Sequence, residues 1–233
     1  WLFGGIYRPV WLEVLPQIHM EHFVLNADHQ GKLQAAVDMA GDAKGHEIIV
    51  SVRSLKDGKT VYTSNGQTTI THSISNSDKE QMISGEWASI IPWSTENPNL
   101  YVAKLELKNP EGKIVQTRET RIGFRTVEFF PQDGVYLNGT KLVVKGINRH
   151  SFSVDGGRTT SAALSRMDAL LIKEMNMNAV RSHYPPDEHF LDMCDSLGLV
   201  YMDELAGWQN GYDSRVGAKL VKAACGSSRG KWT

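Results

Sequence analysis

The hydrophobic pattern changes its period near Arg125, and this change limits the possible folds more than any other feature of the chain. Before that residue, apolar positions alternate with polar ones. In one run, Val50 and Val52 would face one side of a strand, and Ser51 and Arg53 the other. After it, strand patterns alternate with helix patterns. We therefore expect an all-β part followed by an α/β part.

The first part, from about residue 16 to residue 125, consists of short apolar runs separated by turn residues. The runs are HMEHFVLNAD, GKLQAAVDMA, HEIIVSVRSLKDGKTVY, TTITHSIS and NLYVAKLELKNPEGKIVQTRETRIGF. Within the longer runs, Asp57-Gly58 and Glu111-Gly112 are typical of hairpin turns. Short strands joined by hairpins predict an antiparallel β-sandwich.

The second part has a strand, helix, strand order. KLVVKGIN is a mostly apolar strand, SAALSRMDALLIKEMN has the apolar spacing of a helix, and MNAV is again extended. A second helix is expected to begin within the run Pro185 to Glu188 and to end at Gly198, and LVYMDE is a third strand. This order with short connections predicts parallel strands joined by right-handed crossovers.

Each predicted helix has one apolar face, which should pack against the sheet. The expected face of the first helix comprises Leu164, Met167, Leu171 and Met175. The expected face of the second comprises Phe190, Met193, Cys194 and Leu197. We expect Cys194 to be a plain buried thiol.

Composition and charge exclude several classes of partner. The chain has 233 residues with 25 basic and 26 acidic side chains, a net charge of -1 and no basic face, so nucleic acid is not an expected partner. No apolar run reaches the roughly 20 residues of a membrane-spanning helix, so a membrane is not an expected partner either. Cys194 and Cys225 lack metal-site spacing, and no metal or cofactor is expected.

The chain begins at Trp1 without a Met, so we expect it to be an internal piece of a longer parent protein. No charged segment followed by an apolar one opens the chain. The sequence leaves open whether the parent is cytoplasmic, periplasmic or secreted, and whether it forms a homo-oligomer.

Polar residues follow each strand of the predicted parallel sheet. The carboxyl ends of parallel strands meet at one edge, where ligand-binding loops converge over a rigid scaffold. We therefore predict a pocket rim at this edge. Its members are Asn148, Arg149 and His150 after the first strand, Arg181 and His183 after the second, and Asp203 and Glu204 after the third.

Two other chemistries are disfavoured for these residues. The candidate side chains for a metal site lack an HxH or HExxH spacing. They are His150, His183, His189 and Asp203. Ser151 and Ser182 lie outside a G-x-S-x-G motif, which disfavours a serine nucleophile. Asp203 and Glu204 are strand neighbours that point to opposite faces, so they cannot flank one scissile bond, and one of them should orient a positive group or a hydroxyl.

Five stretches carry a family resemblance: GGIYRPVWLE, WSTENPNLY, DGVYLNGTKLVVKGINRHSF, NAVRSHYPPDEHFLDMCDSLGLVYMDE and LAGWQ. They closely resemble glycoside hydrolase family 2, which includes β-galactosidases, β-glucuronidases and β-mannosidases. The resemblance implies a multidomain chain. Its parts would be the last strand of an N-terminal jelly-roll sugar-binding domain (1–13), an immunoglobulin-like β-sandwich (14–125), the first three β/α units of a (β/α)8 TIM barrel (126–222) and an atypical tail (223–233).

The resemblance also implies a chemistry, the retaining hydrolysis of a terminal β-glycosidic bond in a carbohydrate substrate by two glutamates roughly 5 Å apart. Both glutamates would lie beyond the third strand, so no catalytic residue is expected in this chain, which should be inactive on its own. The implied substrate-binding residues are Asn148, His150, His183 and Trp208. Arg181 is implied to hold the nucleophile ionised, and the implied orienting or structural residues are Arg149, Asp203 and Glu204.

The sequence departs from the family pattern in two places. Only Ser182 separates Arg181 from His183, where the family has two small residues. Losing one residue at a strand end reverses the facing of its neighbours, so the partnership of Arg181 with His183 is in question. Residues 223–233 lack the Arg-Asp and Asn-His-Pro sequences of the family, resemble a frame-shifted or cloning-derived tail, and are excluded from fold reasoning.

Two alternatives to an enzyme are a carbohydrate-binding module built on the sandwich without catalysis, and a structural β-sandwich domain. Both would explain the first part of the chain. The binding module does not explain why three strands of the second part should each end in a polar cluster, and this favours the hydrolase over it. Sugar-dependent protection of Trp208 or His183 in the parent would separate the hydrolase from a structural domain.

Overall fold

The computed structural model describes residues 5–63, 68–69, 83–85 and 90–204. Within these ranges the chain forms two antiparallel sheets, a smaller antiparallel sheet, and a parallel sheet flanked by two helices. No helix in this part of the chain is long and apolar enough to cross a membrane.

The first two sheets have the antiparallel pairing that the alternating pattern predicts. One sheet has the order β1-β2-β6 and comprises β1 (His19–Ala27), β2 (Leu33–Ala40) and β6 (Ile83–Gly85). The other comprises β3 (Glu47–Ser54), β4 (Thr60–Thr63), β5 (Thr68–Thr69), β7 (Tyr101–Lys108) and β8 (Ile114–Ile122). Its order is β4-β3-β7-β8, with β5 also paired to β3.

One apolar core joins these two sheets into a sandwich. Val50 and Val52 are at most 1% exposed, whereas Arg53 on the opposite face is exposed, so the predicted alternation in β3 is confirmed. Burying a valine side chain contributes about 1.5 to 3 kcal/mol. The predicted hairpin turns are also present, with positive φ values of 70° at Gly58 and 84° at Gly112.

Along the chain, a small antiparallel sheet lies between the sandwich and the parallel sheet, and the sequence pattern did not predict it. It has the order β11-β10-β9 and comprises β9 (Val127–Phe130), β10 (Gly134–Leu137) and β11 (Thr140–Leu142). The single strand expected over KLVVKGIN is therefore wrong, because its first residues pair with β10 and leave Val143 and Val144 exposed. Asn138-Gly139, with φ values of 53° and 76°, makes the hairpin turn between β10 and β11.

The parallel sheet confirms the predicted strand and helix order. It comprises β12 (Gly146–Arg149), α1 (Ala162–Glu174), β13 (Ala179–Ser182), α2 (Glu188–Leu197) and β14 (Val200–Met202). The strand order is β12-β13-β14 with parallel pairing throughout. In the register, Asn148 lies opposite Arg181 and Arg181 lies opposite Met202. The ends of the three strands are thus level with one another.

The helices differ in how well their predicted faces match. In α2, Phe190 and Cys194 are buried, as expected. In α1 the predicted face is wrong, because Met167, Leu171 and Met175 are about half exposed. The residues that α1 buries are Ser165, Ala169 and Ile172. Of these, Ala169 and Ile172 belong to one apolar cluster with residues of α2 and β13, so α1 packs through a face that is rotated from the predicted one.

The sandwich packs directly against α2. The indole Nε1 of Trp93, from the loop before β7, donates a hydrogen bond to the carbonyl oxygen of Asp195 at 2.8 Å. Arg121, on β8, donates to the carbonyl oxygen of Asp192 at 2.7 Å and forms an ion pair with its carboxylate at 3.2 Å. Burial lowers the pKa of Arg125, and the nearby Asp195 opposes that shift. These contacts fix the helix that precedes β14 against the sandwich.

Candidate active site

The carboxyl ends of β12, β13 and β14 are connected through the guanidinium group of Arg181. Its Nη1 donates to Oδ1 of Asn148, beyond the middle of β12, at 3.3 Å. Its Nη2 donates to Oε2 of Glu204, just after β14, at 2.9 Å. One planar cation thus joins side chains from all three strand ends, which is what a rigid pocket rim requires.

His183 binds the same carboxylate oxygen as Arg181. Its Nδ1 lies 2.6 Å from Oε2 of Glu204, so the proton of this hydrogen bond belongs to Nδ1 of the ring. In the neutral ring, Nε2 is then the acceptor atom. The Glu204 side chain is only 17% exposed. The short link through Ser182 therefore leaves Arg181 and His183 converging on Glu204 in this structure.

Aromatic rings extend the rim beside His183. The ring centroids of His150 and His183 are 4.9 Å apart, and those of His183 and Tyr184 are 4.7 Å apart. The guanidinium carbon of Arg158 lies 3.9 Å from the centroid of Tyr184. His150 and Asn148 are exposed, so polar ring atoms and an amide face the solvent at this edge. Such a surface suits a ligand with many hydroxyl groups.

Arg149 does not join this rim, which corrects its predicted place. It is 7% exposed and lies between the sheet and the helices. Its guanidinium forms an ion pair with Asp168 of α1 at 2.7 Å, donates to the Ser151 hydroxyl, and lies 3.9 Å from the ring centroid of Phe190 of α2. Because successive strand residues face opposite sides, Asn148 points to the rim and Arg149 to the helical layer.

Asp203 and Glu204 have different surroundings, although they are neighbours. Asp203 accepts a hydrogen bond from the backbone N–H of Glu204 at 2.9 Å. Partial burial raises the pKa of Asp203, the charge of Glu204 raises it further, and the backbone hydrogen bond opposes both. Arg181 and His183 bind Glu204 and leave Asp203 aside. Trp208, the remaining predicted sugar contact, lies outside the described residues.

Ser182 has a structural place below the rim that the sequence did not indicate. Its hydroxyl donates to the carbonyl oxygen of Tyr184 at 2.5 Å and forms a short hydrogen bond with the Tyr201 hydroxyl on β14. Ser182 is fully buried, and burial strongly raises the pKa of Tyr201. This network fixes the turn that carries His183 and Tyr184. Among the described residues, no group of three or more His, Cys, Asp or Glu side chains is arranged to hold a metal ion.

Two family models match the chain, one in each structural part. The model described as glycosyl hydrolases family 2 matches residues 18–125, which include the sandwich strands. The model described as glycosyl hydrolases family 2, TIM barrel domain, matches residues 131–232, which include the parallel sheet.

Curated proteins and solved structures give the same result. The β-galactosidase BgaC of Bifidobacterium adolescentis is 32% identical over 212 residues, and the match covers 88% of this chain and 20% of BgaC. A putative β-glucuronidase of Formosa agariphila is 30% identical over 228 residues, covering 90% of this chain and 25% of the relative. The chain thus spans about a fifth to a quarter of the length of these relatives.

Among solved structures, the β-glucuronidase of Parabacteroides merdae with glycerol in its active site aligns with a TM-score of 0.71 and 27% identity. That alignment covers 85% of this chain and 25% of the enzyme. A β-glycosidase from Bacteroides vulgatus has the same fold over 97% of this chain, with a TM-score of 0.74 and 24% identity. The sandwich, the parallel sheet and both family models lead to one assignment: the chain belongs to glycoside hydrolase family 2.

Proposed function

We propose that the chain is part of a retaining glycoside hydrolase that cleaves terminal β-glycosidic bonds and resembles the β-galactosidases. The observation that carries this proposal is the junction of three parallel strand ends through Arg181 and Glu204. In barrel enzymes this edge holds the substrate. Relatives named β-galactosidase and β-glucuronidase support the substrate class.

The exposed residues of the rim are proposed to bind the terminal sugar. Asn148, His150 and His183 present an amide and two imidazoles, which can form hydrogen bonds with sugar hydroxyls. The Nδ1 bond of His183 to Glu204 would orient its ring for this contact. Trp208 is proposed as an additional sugar contact.

Glu204 is proposed to orient Arg181 and His183 and not to attack the sugar. A retaining enzyme needs two carboxyl groups roughly 5 Å apart on opposite sides of the anomeric carbon. Oε2 of Glu204 already accepts from Arg181 at 2.9 Å and from His183 at 2.6 Å. Arg181 is proposed to extend its positive charge toward the catalytic nucleophile, which we place on a later barrel strand. Asp203 supports the backbone of Glu204.

The domain limits follow from the same assignment. We propose that residues 14–125 are the immunoglobulin-like domain and that 126–222 open a (β/α)8 barrel with its first three β/α units. Residues 1–13 would be the end of a preceding jelly-roll domain, and 223–233 a tail that is atypical of the family. Arg149 has a structural role in this scheme, because it joins β12 to both helices.

The test is hydrolysis of nitrophenyl β-galactoside, β-glucuronide, β-mannoside and β-glucoside by the purified parent protein. A mock purification controls for glycosidases of the host. We expect turnover of at least one of these substrates, with β-galactoside favoured. A folded parent that cleaves none of them would contradict the proposal.

The chain alone, assayed in the same way, is expected to show no turnover above background, because both catalytic carboxyls are proposed to lie elsewhere. Loss of the general acid alone typically lowers the rate by about 10² to 10⁴-fold. Activity that co-purifies with this chain and disappears in Glu204→Gln would contradict both the orienting role of Glu204 and the proposed position of the catalytic pair.

A further inference from the structure

Residues 5–9, which we call the N-terminal arm, contact the loop that carries His183, although they are separated from it by more than 170 residues in sequence. The guanidinium of Arg8 donates from Nη2 to the carbonyl oxygen of Pro185 at 2.9 Å. It also forms an ion pair through Nη1 with Oδ1 of Asp187 at 2.8 Å and reaches the carbonyl oxygen of Arg158 at 3.4 Å. One side chain thus binds two loops of the parallel-sheet part.

Asp187 depends on this contact. Its side chain is 8% exposed, so its carboxylate requires partners. Asp187 is the N-terminal cap residue of α2, yet its side chain makes no capping hydrogen bond to the helix. Instead it binds Arg8 and the Thr160 hydroxyl. The start of α2 is therefore held by the N-terminal arm together with Thr160, and not by a capping hydrogen bond within the helix.

A stack of side chains continues from the arm to the rim. The guanidinium carbon of Arg158 lies 5.0 Å from the ring centroid of Tyr7 and 3.9 Å from that of Tyr184. The Tyr184 ring packs against His183 at 4.7 Å and against His150 at 6.1 Å. Movement of Tyr7 or Arg8 would therefore be transmitted through Arg158 and Tyr184 to both rim histidines.

The far end of the same segment is bound to the sandwich. Glu13 forms a short ion pair with Arg118 on β8. Residues 8 and 13 are thus held by different parts of the fold, the parallel-sheet loops and the sandwich. Between them, Val10, Trp11 and Leu12 are largely exposed, so polar anchors and not apolar burial hold this segment.

We propose that Tyr7 and Arg8 are positioning residues for the site: they fix residues 183–187, so that His183 and Tyr184 present one surface to the sugar. The placement of this loop stands on the contacts alone, whereas its role in sugar binding rests on the proposed glycosidase function. The segment that precedes the sandwich would then form part of the wall of the barrel site.

The matched pair of variants is Arg8→Gln and Arg118→Gln. Both arginines hold the same segment, and their side chains are equally exposed, at 31%. NMR spectra of this chain, labelled at histidine and tyrosine, report on the rings. Arg8→Gln should shift the ring signals of His183 and Tyr184 and speed amide exchange over residues 184–187. Arg118→Gln should leave these signals in place. Unchanged His183 and Tyr184 signals in folded Arg8→Gln would overturn the proposal.

Two further variants keep the test decisive if Arg8→Gln unfolds the chain. Tyr7→Leu retains every hydrogen bond of Arg8 but removes the ring next to Arg158, and it should shift Tyr184 more than His183. Arg8→Lys keeps one cation near Asp187 without the planar fork, and it should shift the ring signals of Tyr184 and His183 away from their wild-type positions. Absence of any Tyr184 shift in both variants would overturn the proposal.

Kinetics of the parent protein test the role in sugar binding. Arg8→Gln should lower kcat/KM by about 10 to 100-fold, since displacement by about 1 Å can cost 100-fold, while Arg118→Gln should stay within about 2-fold of wild type. Equal kcat/KM for wild type and Arg8→Gln would overturn the sugar-binding role. A wild-type parent without any β-glycosidase activity would contradict the proposed function, and the NMR comparison would then still decide the positioning of the loop.

Discussion

Arg181 donates a hydrogen bond from Nη2 to Oε2 of Glu204 over 2.9 Å and thereby joins the ends of β13 and β14. The Glu204 side chain is 17% exposed and that of Arg181 is 41% exposed, so solvent screens the pair in part. His183 binds the same oxygen. Glu204 therefore fixes the side chains of Arg181 and His183 relative to each other.

Replacing Glu204 by Gln should lower the free energy of unfolding by about 1 kcal/mol, because the amide keeps an acceptor but loses the charge that Arg181 and His183 share. Urea denaturation of this chain measures the change. Asp203→Asn is the matched control, since Asp203 accepts from the backbone N–H of Glu204 and from neither of these side chains among the described contacts. If Asp203→Asn lowered the free energy of unfolding as much as Glu204→Gln does, the effect would not be specific to Glu204.

Gly198 should tolerate no side chain, because it holds the turn between α2 and β14 against the sandwich. Its φ is 72°, and a Cβ there would lie 2.3 Å from the carbonyl oxygen of Thr95. Gly58 has a similar φ of 70° but nothing within 4 Å of its Cβ position. Gly58→Ala should therefore lower the free energy of unfolding by only about 1 to 2 kcal/mol, which is the cost of a left-handed backbone for a residue with a Cβ.

Gly198→Ala should lower the free energy of unfolding by about 2 kcal/mol more than Gly58→Ala does, because the carbonyl oxygen of Thr95 must also move. The two midpoints in urea denaturation make the comparison. Equal decreases in the free energy of unfolding would show that the loop containing Thr95 does not closely contact the α2–β14 turn. That result would contradict the described packing of the sandwich on α2.

The buried face of α1 can be tested with two adjacent residues. Ile172 is 2% exposed, whereas Leu171 is 49% exposed. Ile172→Ala should lower the free energy of unfolding by about 2 to 5 kcal/mol. Leu171→Ala should change it by about 0.5 kcal/mol or less in this chain. A larger decrease in the free energy of unfolding for Leu171→Ala than for Ile172→Ala would support the buried face that was predicted from hydrophobicity alone.

Cys194 should not react with thiol reagents in the folded chain. Burial raises the pKa of its thiol to about 12, and the neighbouring Asp195 acts in the same direction. The reactive thiolate is therefore scarce at pH 8. In a Cys225→Ser background, DTNB should label Cys194 only after urea is added. Labelling of the native chain at the rate of a free thiol would contradict the burial of α2 against the sheet.

Sequence patterns predicted the strand and helix order of the parallel sheet and its aligned strand ends. They could do so because the spacing of apolar residues and the polar residues after each strand are local signals. They failed where the outcome depends on packing partners. The hydrophobicity of Met167 and Leu171 suggested a buried face, but α1 approaches its neighbours through Ala169. The hairpin after β10 did have a local signal, Asn138-Gly139, which an assignment of one long strand overlooked.

Side-chain partnerships at the site were only partly visible in the sequence. Alternation along β12 separates Asn148 from Arg149, and the sequence alone grouped them because both follow the same strand. The pairing of Arg8 with Asp187 joins residues 179 positions apart by number, and no local pattern encodes it. Whether Arg181 and His183 share a partner also depended on the position of Glu204, just after a third strand.

The most direct test of the proposed sugar site is the steady-state kinetics of His183→Ala in the parent protein, with nitrophenyl β-galactoside and β-glucuronide as substrates. His22→Ala, at an exposed position on β1, is the control. We expect His183→Ala to lower kcat/KM by about 10-fold or more through the lost hydroxyl contact, and His22→Ala to leave it unchanged. Equal kcat/KM for wild type and His183→Ala on every substrate that the parent cleaves would contradict a sugar-binding rim at the ends of β12, β13 and β14.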